Sequence, residues 1–242
     1  MTALLATERI KLFTTRSPWW SMIMTLGITV GLAGMVALTH AGDRPLTVEH
    51  SQFGSQFGLM IITVMAALAV TTEYRFATIR TTFQAVPNRT SILLAKTAVV
   101  TGLAVVVGEI TAFGSWAVAK LIDGGPELSI RDSGDLRMVA GVGLVYGVAA
   151  VMAVAVGILV RQSAGAISIL LIWPLLAENL VGLIPRVGDD LRNWMPYVNA
   201  GRFLNGVDPE MPLSAWGALA YFAGVAAVLL GTALVVANRR DA

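Results

Sequence analysis

Six windows of about 20 predominantly apolar residues, at 19–38, 53–72, 97–119, 138–160, 163–183 and 213–237, dominate this 242-residue sequence. A helix crossing the roughly 30 Å hydrocarbon core of a bilayer needs a run of about that length. Charged residues make up 13% of the chain, against roughly 25% in soluble domains, so a soluble globular fold is excluded. A membrane barrel would alternate apolar and polar residues over segments of about 10 residues, and these windows are continuously apolar instead. The sequence therefore predicts an all-α integral membrane protein with six transmembrane helices in one domain that spans 1–242. The first window, 20 residues long, exceeds the roughly 7–15 residues of a signal-peptide core and predicts a retained span.

Composition removes several function classes. The formal net charge is only +2, too small for a phosphate-binding surface, so nucleic acid is not an expected partner. Cysteine is absent, which excludes disulfides and thiolate metal sites. The sequence contains no G-x-x-x-x-G-K-[ST], G-x-S-x-G or H-E-x-x-H, the arrangements that cradle a nucleotide phosphate, raise a nucleophilic serine or hold a catalytic zinc. The chain is thus read as a non-enzyme with no cofactor or metal of its own. His40 and His50 lie near one loop among carboxylates, as loop histidines commonly do. Asp189 and Asp190 diverge on a helix and do not make a metal pair.

Orientation follows from Lys and Arg on alternate sides of the spans. The side with both termini holds ten, the other seven, which predicts cytoplasmic termini. Two glycine pairs, Gly27/Gly31 and Gly143/Gly147, have the spacing for close helix contact.

Three places carry polar or patterned residues that the spans do not explain. In the loop 73–96, Phe76, Ile79, Phe83 and Val86 recur at i, i+3, i+7 and i+10, the apolar stripe of a helix of about three turns. Pro87 ends it by disfavouring helical backbone in the residue before, and Asn88 or Ser91 can cap the next helix. The residues alone fit a helix that rests on the lipid interface as well as one that docks a partner. Glu109 lies midway along span three. An intramembrane carboxylate is expensive, so it serves as a proton relay, cation site or pathway lining, or it is a neutral acid bonded across helices to a residue such as Tyr146. In span five, Pro174 predicts a kink, and Glu178 and Asn179 are unsuited to face lipid.

A glutamate closing span two, a T-I-R-T-T run, then P-x-R and a lysine opening span three (Glu73, Thr78, Ile79, Arg80, Thr81, Pro87, Arg89 and Lys96) resemble the membrane subunit of bacterial type-2 ABC exporters, the ABC-2 permease family. The charged segment before span one, the six spans and the short tail 238–242 fit the same layout. The resemblance implies that Glu73, Phe76, Ile79, Arg80, Phe83, Val86, Pro87 and Arg89 form a cytoplasmic coupling helix seated on an ABC ATPase subunit. ATP and Mg2+ would bind that subunit. It further implies a homodimer, or a heterodimer with a sister permease, in the bacterial inner membrane. Short helices re-entering the outer leaflet near span five are also implied, as is an interfacial helix at the N-terminus. Arg9 and Arg16 share the face of Leu5 and Leu12, which predicts a helix less amphipathic than that resemblance implies. The alternative reading is a non-transporting scaffold or accessory subunit that docks a partner through the same loop.

Overall fold

The computed structural model describes residues 2–40, 45–85, 88–206 and 213–240, apart from the side chains of His40, Arg80, Ala85 and Arg240. The expectations for Val86 and Pro87 lie outside the described residues, as does the side chain of Arg80.

The described residues form helices and no strand: α1 (Thr2–Thr14), α2 (Arg16–His40), α3 (Val48–Ser51), α4 (Ser55–Arg75), α5 (Thr78–Ala85), α6 (Arg89–Asp123), α7 (Ser133–Val160), α8 (Ser163–Ile172), α9 (Glu178–Val181), α10 (Gly188–Asn193), α11 (Pro196–Asn205) and α12 (Ala215–Arg240). Six stretches are long and apolar enough to cross a membrane: Arg16–Thr39, Val48–Arg75, Arg89–Asp123, Ser133–Val160, Ser163–Val181 and Ala215–Arg239. They overlap the six windows in the sequence, and the first four begin earlier, at Arg16, Val48, Arg89 and Ser133. Span three begins at Arg89 rather than at 97, because the Asn88 side chain accepts the Ser91 N–H at 3.1 Å and caps the helix there. Lys96 is therefore inside the helix, not ahead of it.

Helix α7 is the axis of the bundle. Its apolar window is 78% buried, against 17% for the α8–α9 stretch and for α12. Asp132 starts α7 by accepting the N–H groups of Gly134 and Asp135 at 2.7 and 2.8 Å, satisfying orphan donors of the first turn. At its far end Arg161 takes a left-handed φ of 60° and stops it. Apolar attraction between helices is weak in lipid, so small residues that permit close contact must hold such a bundle together. At Gly108 a Cβ would lie 2.7 Å from the Cα of Gly143, so α6 and α7 meet backbone to backbone. Gly147 likewise abuts Val105, as its spacing predicts, whereas no neighbour among the described residues lies within 4 Å of a Cβ at Gly27 or Gly31.

Span five departs from regular geometry. Between α8 and α9 the chain makes a π-helical turn, Trp173–Ala177, that contains Pro174. The proline leaves an unmatched carbonyl in the preceding turn, and the wider coil is how the helix passes it.

Candidate functional site

The polar feature of the structure lies at the end of the bundle where α1, the start of α6 and the end of α12 converge. There Asn238 donates to the Thr90 hydroxyl at 2.9 Å. On α1, the spacing of Leu4, Glu8, Lys11 and Leu12 brings them to one face, and it is this face that turns inward: Glu8 and Leu12 are buried. Helix α1 is poorly amphipathic, as Arg9 beside Leu5 leads one to expect, and it is anchored through the inward charges that find partners. Lys96 on α6 bonds Glu8 and also donates to Glu73 Oε1 at 2.9 Å. Lys11 donates to Glu8 Oε1 at 2.8 Å and to the Thr82 hydroxyl of α5 at 3.2 Å, with Glu73 Oε1 3.6 Å away. Four elements (α1, α4, α5 and α6) are joined by two lysines and two glutamates of zero summed charge.

Burial makes this cluster consequential. Glu8 and Lys96 are 4% and 5% exposed at their side chains, Glu73 15% and Lys11 34%. Taking an ion out of water costs several kcal/mol, which only close pairing offsets. Burial by itself raises the pKa of the Glu8 carboxyl, yet the charge of Lys96 and the bonds from Lys11 and Lys96 outweigh it and hold it below its ordinary value. Burial likewise pulls Lys11 down, and Glu8 and Glu73 together overcome it and raise the ammonium above its ordinary value. Both groups stay charged at neutral pH. Glu73 Oε2 is buried and has no hydrogen-bond partner among the described residues.

The loop helix differs from its sequence reading. Phe76 caps the end of α4, and Ala77 turns the chain with a φ of 58°, so the helix is Thr78–Ala85 and Phe76 is not on it. Its apolar side faces the protein: Ile79 is 4% exposed in the main core, and Phe83 packs partly buried against that core under the Arg89 guanidinium, 5.5 Å from the ring centroid. The stripe read as a partner-facing surface is therefore largely used internally. The outward residues are Phe76, 68% exposed, with Thr78, Thr81 and Gln84. Between α1, the start of α2, α4, α5 and α6 a cleft of about 610 Å³ opens, lined by the four charged residues and by Pro18, Met65, Leu68 and Val99 among others.

The other candidate residues lie apart from this cluster. Glu109 packs its carboxylate over Gly143 of α7. Tyr146, the expected partner, donates instead to the Ser55 carbonyl at 2.6 Å, and among the described residues no hydrogen bond or ion pair to Glu109 is formed. Glu178 is buried, as a carboxylate unsuited to lipid should be, and its partners are backbone. Its Oε1 accepts from Tyr197 N–H at 3.1 Å and Trp173 Nε1 at 3.0 Å, and its Oε2 from Val198 N–H at 2.9 Å. Tyr197 and Val198 lie in the first turn of α11, so the carboxylate meets the positive end of that helix. Asn179 is exposed and donates to the Leu175 carbonyl at 2.9 Å. Among the described residues no three His, Cys, Asp or Glu side chains converge on a metal-sized site. His50 serves locally, its Nδ1 lying 2.7 Å from the Thr47 hydroxyl at the start of α3.

Sequence reasoning named Glu73 and noted Lys96 but missed Glu8 and Lys11 as their partners. The available signals were Lys96 embedded in the apolar run 92–100 and Glu8 four residues from Leu4 and Leu12 on one helical face. No family model matches the chain, and no curated protein matches it.

Proposed function

We propose that this chain is the permease subunit of an ATP-driven exporter of the ABC-2 type. It would work as a homodimer or with a sister permease, powered by a separate nucleotide-binding subunit, in the bacterial inner membrane with both termini in the cytoplasm. The observation that carries the reading is α5, a short helix outside the spans whose inner side is anchored by Ile79, Phe83 and the Lys11–Thr82 bond. Thr81 on it and Phe76 at the end of α4 beside it stay exposed. A force applied to that exposed side passes through Lys11 and Glu73 to Lys96, and so into spans two and three. The absence of a nucleotide-binding motif from the sequence fits a division of labour in which ATP and Mg2+ belong to the partner. The Lys and Arg imbalance supports the orientation.

The test is purification in mild detergent, asking whether a P-loop ATPase subunit co-purifies, and comparing wild type with Phe76→Asp. Phe76 is exposed, so this change leaves the internal packing of α5 intact, unlike a substitution at Phe83. Burying a phenylalanine is worth about 1.5–3 kcal/mol, so association should weaken by about tenfold to a hundredfold. ATP hydrolysis should appear only in the complex. Recovery of a partner complex without an ATPase would instead support the scaffold reading.

A further inference from the structure

We propose that the cleft between α1, α4, α5 and α6 is a binding site for one anionic phospholipid drawn from the adjacent leaflet. This goes beyond the exporter reading and does not depend on it. The cleft holds about 610 Å³, within the roughly 300–1,000 Å³ of sites that enclose small molecules. Its lining is divided by chemistry. One wall is Pro18, Met65, Leu68, Ala69 and Val99, all from segments long and apolar enough to lie in the bilayer. The rest is the charged cluster with Thr14 and Thr81. Glu8, Lys11 and Thr14 on α1 and Thr81 on α5 lie outside those segments, while Glu73 lies in the last turn of α4 and Lys96 within the first turns of α6. A ligand that satisfies both walls has an apolar tail and a polar head, and it must sit at the boundary between hydrocarbon and water. Membrane lipid is the amphiphile always present there.

The sign of the head follows from which charge can be reached. Glu8, Lys96 and Glu73 are 4%, 5% and 15% exposed at their side chains, whereas Lys11 is 34% exposed and lines the cleft. The most exposed charge of the cluster is therefore an ammonium, already bonded to Glu8 and Thr82, and a phosphate-bearing anionic head is the ligand that would share it. The acyl chain would run along Leu68 and Met65 toward the bilayer interior. Occupancy would brace α1 against α4 and α5, adding lipid composition as an input to the same elements.

Native mass spectrometry of the protein released from an equimolar mixture of phosphatidylglycerol and phosphatidylcholine tests this. A basic residue near the membrane surface favours anionic lipid by about 1 kcal/mol, or about fivefold, so one phosphatidylglycerol should be retained at about that preference. Lys11→Gln should abolish the preference. Ala69→Trp, which fills the apolar wall without touching the charges, should reduce retention of both lipids and covers the case in which Lys11→Gln does not fold. Equal retention of the two lipids by wild type would overturn the proposal, as would an Ala69→Trp protein that keeps its adduct. Inorganic phosphate alone at the same molar excess should leave no adduct, and its retention in place of lipid would also overturn it.

Discussion

Glu8 and Glu178 are both almost fully buried carboxylates near opposite sides of the architecture, and they are stabilised by different means. Glu8 is balanced by side-chain charges contributed across 88 residues of sequence, Lys96 above all. Glu178 is balanced by backbone N–H groups about 20 residues away and by one indole. The first arrangement is a network in which every member depends on another ion, so losing one strands the rest. The second is a cap on a helix that would exist without it, so its loss frays a local segment. Long-range ion pairing ties elements into one unit, whereas backbone capping finishes a single element.

The largest effect should come from Lys96→Met, which leaves Glu8 and Glu73 without their shared buried cation. Removing one partner of a buried pair costs about 3–5 kcal/mol, and thermal unfolding in detergent should show a large fall. Adding Glu8→Gln to Lys96→Met should recover much of it, and failure to recover would mean that the cluster is not a coupled network. Glu178→Leu comes next. It leaves two backbone donors of α11 unsatisfied at about 1–3 kcal/mol, and it should speed hydrogen exchange at Tyr197 and Val198 while leaving the α1 end protected. Slowest to show is pH. Glu8 is held below its ordinary 4.5, so its contribution is present above that value and is lost as pH falls through the lowered one. Lys11 is held above its ordinary 10.5, so its contribution is present below that value and is lost as pH rises through the raised one. Stability should be level between and fall at both extremes, and Glu8→Gln should remove the acid limb.

The six spans were legible because a bilayer demands long apolar runs, and charge-free windows report them directly. Their ends were less legible: Lys96 looks like a boundary when charges are taken to mark water, yet it sits in the helix because Glu8 and Glu73 meet it. Gly143/Gly147 was readable as a close contact, whereas Gly27/Gly31, with the same spacing, meets no neighbour among the described residues. That Glu178 avoids lipid followed from its charge, but its partners did not, because the path from span five to α11 runs through an irregular segment with no periodic signal. The direction of α5 was misread for a related reason. An apolar stripe says that one side is covered, and only the tertiary structure says by what.

The backbone contact between Gly108 and Gly143 has a mechanical consequence. Helix α6 runs 35 residues, about 52 Å at 1.5 Å per residue, and this contact is a fulcrum near its middle. Lys96 lies about 18 Å to one side of it and Asp123 about 22 Å to the other. If α6 moves as a rigid beam, a push at the lysine reappears at the far end reversed in direction and about 1.2 times as large. A bulkier residue at Gly108 or Gly143 would shift the pivot without touching either arm.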